Sequence, residues 1–109
     1  MAQDDLTITR GSDNVFADIG VADAEEHAIK ARVVMLIGHL MEQKGLSQTA
    51  AAARIKISQP DLSKLLRGQF RGFSLERLLG YARALGADIE IKAKAARGQR
   101  AGRMRFVEA

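Results

Sequence analysis

Cysteine is absent from the 109 residues. The chain can therefore form neither a disulfide framework nor a zinc site built on thiolates, and its composition fits a reducing compartment such as the cytoplasm. Histidine is scarce as well. His27 and His39 stand twelve residues apart with no cysteine or carboxylate partner at ligand spacing, so each reads as a surface or core residue, not a metal ligand or a base. Long apolar runs are missing: none approaches the roughly 20 residues that span a bilayer. The opening MAQDDLTITR lacks the basic-then-apolar order of a signal peptide, and no export or membrane partner is expected. Neighbouring residues suggest no glycine-rich phosphate loop and no Ser, His and acid arrangement. The expectation is of no enzyme, no cofactor and no small-molecule substrate. At this length one compact domain with short appendages fits, because a second core of useful size does not.

What the chain has is charge, unevenly placed. Residues 1–53 carry Arg10, Lys30, Arg32 and Lys44 against eight Asp or Glu, a balance of −4. Residues 54–109 carry thirteen Lys or Arg against Asp61, Glu76, Asp88, Glu90 and Glu108, a balance of +8. A cationic half attracts a polyanion such as nucleic acid, although on charge alone a solvated basic surface accounts for it equally well.

Patterning divides the chain into three. Residues 1–22 hold one alternating stretch, Leu6-Thr7-Ile8-Thr9, among Gly11, Ser12, Asp13, Asn14 and Gly20, and no helical period persists; they read as an acidic arm. From Asp23 the period becomes helical. Asp23 with Glu26 makes a capping-box pattern, and Ile29, Val33, Leu36, Ile37 and Leu40 form one apolar stripe, predicting a helix over 24–44 that stops at Gly45. Ser47 can cap a short alanine-rich helix over 48–55, and Lys56-Ile57 connects it to a second cap at Ser58. There Asp61 answers Ser58, Pro60 lies in the first turn where its missing N–H costs little, and Ile57 can staple to Leu62. Leu62, Leu65 and Leu66 face inward until Gly68. Ser74 opens a fourth helix, with Leu75, Leu78, Leu79, Ala82 and Leu85 inward until Gly86 and Phe73 stapling to Leu78. Gly38 and Gly80 sit inside helices at about 1 kcal/mol each, either for close helix contact or by simple tolerance. Beyond Gly86, Ile89, Ile91 and Ala93 alternate with Glu90, Lys92 and Lys94, predicting a half-exposed strand. A second run, Arg103-Met104-Arg105-Phe106, follows the link AARGQRAG. The two runs can form a hairpin, or each can add to a partner's sheet edge. The boundaries are an arm at 1–22, a helical domain at 23–86 and a basic strand or tail at 87–109.

Two short helices joined by almost nothing, over 47–68, have the geometry of a helix-turn-helix, in which the second helix enters the major groove while the first crosses the backbone. On the second helix, Gln59, Asp61, Ser63, Lys64 and Arg67 face outward once the leucines are assigned to the core. Gln59 carries an amide suited to a bidentate pair with adenine, and Lys64 can bond guanine or phosphate. Ser47 and Gln48, at the positive end of the preceding helix, suit phosphate. The plainer alternative is a four-helix bundle without such a role, and the basic tail can either grip phosphates or only aid solubility.

Over about residues 30–86 the chain resembles the Cro/C1-type, or XRE-like, helix-turn-helix regulators. Leu46-Ser47-Gln48, Ile57-Ser58-Gln59-Pro60, Leu65-Leu66-Arg67-Gly68 and Phe73-Ser74-Leu75-Glu76-Arg77-Leu78 are similar to the branch of HigA-type antitoxins. The resemblance implies a mainly α, lambda-repressor-like domain of four to five helices, here with an extended N-terminal arm and a short C-terminal β strand or hairpin. It implies phosphate contact by Gln48 and Ser58 and base reading by Gln59, Pro60, Ser63 and Lys64. Homodimers on an inverted repeat of double-stranded DNA, at the nucleoid, are implied as well. For the antitoxin branch it further implies a terminal segment that silences a RelE-like ribonuclease toxin, for which Leu6, Ile8, Val15, Phe16 and Ile19 are the candidate contacts. The alternatives are a stand-alone or phage-type repressor, or a protein-interaction module without DNA specificity. One residue departs from the family pattern: Lys56 holds a turn position where glycine is usual. A left-handed backbone there costs about 1 kcal/mol, or the turn is shaped differently.

Overall fold

The computed structural model describes residues 15–109, and their side chains from residue 23 onward. Four helices follow in order: α1 (Val15–Gln43), α2 (Gln48–Ile55), α3 (Gln59–Leu66) and α4 (Leu75–Ala84). Three of their starts are set by the expected serines. The hydroxyls of Ser47, Ser58 and Ser74 each accept the N–H three residues ahead, from Ala50, Asp61 and Arg77, at 3.1 Å. Each bond satisfies a donor that the first turn of a helix leaves open.

All four helices end alike. An amide just past each end reaches back five residues to a carbonyl of the last turn: Leu46 to Met41, Ile57 to Ala52, Gln69 to Lys64 and Ala87 to Ala82. This closure needs a left-handed residue just before that amide. Gly45, Gly68 and Gly86 supply three of them, and Lys56, with φ 65° and ψ 44°, supplies the fourth. Of the two outcomes open at Lys56, the left-handed backbone is the one found, so the link between α2 and α3 keeps the compact form.

The apolar stripes meet in one core. Ile29, Val33, Val34, Ile37 and Met41 of α1, Ala51, Ala52 and Ile55 of α2, Leu62 and Leu65 of α3, and Leu78, Tyr81, Ala82 and Leu85 of α4 are buried together. Phe70 and Phe73, from the loop between α3 and α4, complete it. Leu36, Leu40, Ile57, Leu66, Leu75 and Leu79 are half-buried at its edge. α1 packs mainly on α4, and α2 mainly on α3. Ala51 is wholly buried; a methyl group at that position lets the short α2 sit close to its neighbours, where a larger side chain would hold it away.

Two expectations need correction. α1 does not start at residue 24 under an Asp23 cap; it begins at Val15, and Asp23 lies in its interior. The alanines and glutamates around Asp23 propagate helix, and the lone Gly20 costs only about 1 kcal/mol, too little to stop it. The C-terminal strand or hairpin is also not found: among the described residues none is in a strand. Residues 88–94 run without secondary structure and find no strand among the described residues to pair with, and an extended segment without a ladder partner is not a strand. The last residues instead lie along α1. The Met104 N–H donates to Glu25 Oε1 at 3.3 Å, Phe106 packs on the core, and Arg32 pairs with Glu108 at 3.8 Å. No described helix is long and apolar enough to cross a membrane.

Candidate nucleic-acid interface

The surface made by the start of α2 and the exposed side of α3 holds every polar residue singled out over 47–68. Leu62 and Leu65 have no exposure at all, so they anchor α3 and leave its opposite side to Gln59, Ser63, Lys64 and Arg67. Gln59, Pro60, Lys64 and Arg67 are exposed, while Asp61 and Ser63 are half-buried at the margin. Ser58 and Ser47 are exposed but spend their oxygens on capping.

Two side-chain hydrogen bonds shape this surface, and the first does not follow from helical spacing. Gln59 Nε2 donates to Gln48 Oε1 at 2.9 Å, joining the first residues of α3 and α2 across eleven positions of sequence. A glutamine amide has two N–H donors and one carbonyl acceptor. After this bond one N–H and the carbonyl of Gln59 have no partner among the described residues. That pair matches the acceptor N7 and donor N6 of adenine in the major groove. Gln48 has used only its carbonyl, so its NH2 is free for an anion. Along α3, Arg67 Nη1 donates to Ser63 Oγ at 2.8 Å. The bond draws the guanidinium over Ser63 and leaves the hydroxyl proton of Ser63 free to donate.

The electrostatics suit a polyanion. The first N–H groups of α2 and the helix dipole give its start a positive end, beside which Gln48 and Ser47 stand. Lys56 in the turn, Lys64 on α3 and Arg67 at its C-cap add exposed cations. Ion pairs among the described residues are Lys30–Glu26, Arg32–Glu108 and Lys92–Glu90, and none draws on α2 or α3.

Behind the interface, Arg77 braces the loop that follows α3. Its guanidinium lies 5.0 Å from the centre of the Phe73 ring, and its Nη2 donates to the Tyr81 hydroxyl at 2.8 Å. His27 stacks on Phe70 with centroids 4.9 Å apart, a packing role. Sequence reasoning missed Phe70, Tyr81 and Arg77. The spacing of Phe73, just before α4, and of Arg77 and Tyr81 on it, four residues apart each, was the available signal. Of the residues read as contacts to a protein partner, Leu6 and Ile8 lie outside the described residues. Val15, Phe16 and Ile19 fall in the first turns of α1.

Residues 15–94 match a family model described as a helix-turn-helix domain. A solved structure assigned as an XRE family transcriptional regulator is similar to the chain at 40% identity, with a TM-score of 0.71. That match covers 80% of this chain and 99% of the other. No curated protein is significantly similar. With a helix-turn-helix built on α2 and α3, and a matching regulator of nearly the same extent, the chain belongs to the XRE-like family of helix-turn-helix DNA-binding transcriptional regulators.

Proposed function

We propose that the chain is a sequence-specific repressor that reads an operator half-site through α3 and holds the flanking phosphates through the start of α2. Gln59 takes an adenine edge, Ser63 and Lys64 read adjacent bases, and Pro60 and Asp61 line the edge of the read site. Ser47, Gln48, Ser58 and Arg67 position the helix on the phosphates. The observation that carries this reading is the Gln48–Gln59 hydrogen bond. It fixes the amide of Gln59 while sparing the donor and acceptor that adenine requires. The test is fluorescence anisotropy on duplex DNA from upstream of the gene against scrambled duplex, at about 0.15 M salt. Selective binding that Gln59→Ala and Lys64→Ala both weaken supports the proposal; equal, weak binding to both duplexes refutes it.

At finer grain, the protein is the antitoxin of a type II pair. It represses its own operon as a dimer on an inverted repeat, and its residues 1–22 cover a RelE-like ribonuclease. The support is chemical: Asp4, Asp5, Asp13 and Asp18 complement a cationic RNA site, while Leu6, Ile8, Val15, Phe16 and Ile19 supply apolar contacts. Co-purification with the product of the neighbouring gene, with and without residues 1–22, decides it. A complex unimpaired by the truncation overturns the assignment.

A further inference from the structure

Residues 88–94, Asp-Ile-Glu-Ile-Lys-Ala-Lys, follow α4 with the alternation of a strand and, among the described residues, no strand beside them. Among the described residues, no backbone N–H or C=O of this stretch bonds to another backbone group. Ile91 is 86% exposed, the most exposed large hydrophobic residue described. A row of open donors and acceptors carrying an exposed isoleucine is an incomplete sheet edge.

The order of charges says what completes it. Two acidic positions, 88 and 90, precede two basic ones, 92 and 94, with Ile91 at the centre. If the segment pairs antiparallel with an identical one and Ile91 faces Ile91, then Glu90 faces Lys92, Asp88 faces Lys94 and Ile89 faces Ala93, each pair occurring twice. Opposed residues of an antiparallel pair share a face. All four ion pairs therefore fall on one side and all apolar contacts on the other. A shift of one residue puts charge against isoleucine and is disfavoured. The apolar side also has something to cover. Ile89 and Ile91 border a shallow groove of about 370 Å³ whose other walls are Leu79, Gly80, Glu76 and Arg83 of α4. A two-stranded ribbon alone is marginal in water, and α4 supplies the layer beneath it.

We infer that residues 88–94 form a two-stranded antiparallel sheet with the same residues of a second copy, on a twofold axis through Ile91. This surface is independent of the DNA-reading face, and its occupant is another molecule of this chain. The other exposed large hydrophobic residues described are Met35, Met104 and Val107, and none is centred between acidic positions before it and basic positions after it.

The test is sedimentation equilibrium of the full chain without DNA, so that loss of operator binding leaves its outcome untouched. The wild type self-associates. Ile91→Lys, Glu90→Lys and Lys92→Glu each weaken association about tenfold or more, since each sets like charges opposite or buries one. All three positions are exposed, so the helical circular dichroism of each variant is unchanged. The decisive arm mixes Glu90→Lys with Lys92→Glu: the two lysines of one chain then face the two glutamates of the other, and association returns as a heterodimer. A chain that stays monomeric at millimolar concentration overturns the inference, as does failure of the mixture to associate. Association indifferent to all three variants overturns it too, and moves the interface to the surface around Met35.

Discussion

At the scale of single residues, the pair Gln48 and Gln59 behaves as one unit if each needs the other. Gln59→Ala is expected to cost about 1–3 kcal/mol of operator binding, as for a bidentate base contact. On the proposed reading, Gln48→Ala removes a phosphate contact and also frees Gln59 from its hydrogen bond. The double variant should therefore lose less than the sum of the two, and a double-mutant cycle by anisotropy that finds strict additivity refutes the coupling. Lys56 poses a separate stability question. Asparagine tolerates the left-handed region better than lysine, so Lys56→Asn should stabilise the domain by up to about 1 kcal/mol in urea unfolding. Lys56→Val, branched at Cβ, should destabilise it. The peculiarity of Lys56 was legible through the family resemblance, in which that turn position usually holds glycine. The Gln48–Gln59 bond was not: it depends on the angle between two helices, which no count of residues supplies.

Elements were legible where local chemistry alone decides them. Serine caps, glycine stops and leucine stripes fixed α2, α3 and α4 to within a residue or so, because each signal acts within one turn of helix. Two boundaries failed for want of context. Asp23 has the residue type of a cap, yet a preceding stretch that stays helical turns it into an interior residue. The alternation over 88–94 is a strand signal, and a strand exists only with a neighbour. Gly38 and Gly80 are resolved as tolerated. A Cβ at Gly38 meets Leu66 Cδ2 at an ordinary 3.9 Å, and one at Gly80 meets nothing within 4 Å. Gly80→Ala should therefore stabilise α4 by about 0.5–1 kcal/mol, raising Tm by several degrees. Gly86→Ala should do the reverse, since its φ is 105° and the new Cβ lies 3.3 Å from Lys44 Cε. Thermal melts of the two variants moving in the same direction would contradict this account.

Over the whole molecule, charge is segregated along the chain, and affinity for DNA should fall steeply with salt. Lys64→Ala should reduce the slope of log K against log salt by about one if that lysine meets a phosphate, and leave it unchanged if it only reads a base. The tail offers a stability test of its own. Phe106→Ala should cost about 1 kcal/mol, because the ring is half-buried against the core. Glu108→Gln should cost almost nothing, since its pair with Arg32 is in solvent. Equal losses in the two variants would show that the ion pair, not the ring, holds the tail. The tail's course along α1 was invisible in the sequence: it rests on contacts between residues nearly 80 positions apart, and neither partner carries a local signal. The shared manner in which the four helices end has a consequence for motion. The amides of Leu46, Ile57, Gln69 and Ala87 sit in connections, where exchange with solvent deuterium is ordinarily fast. Each is tied back to a carbonyl in the last turn of the preceding helix. Their exchange should consequently be as slow as that of the helices themselves, so that the links between helices open only when the whole domain does.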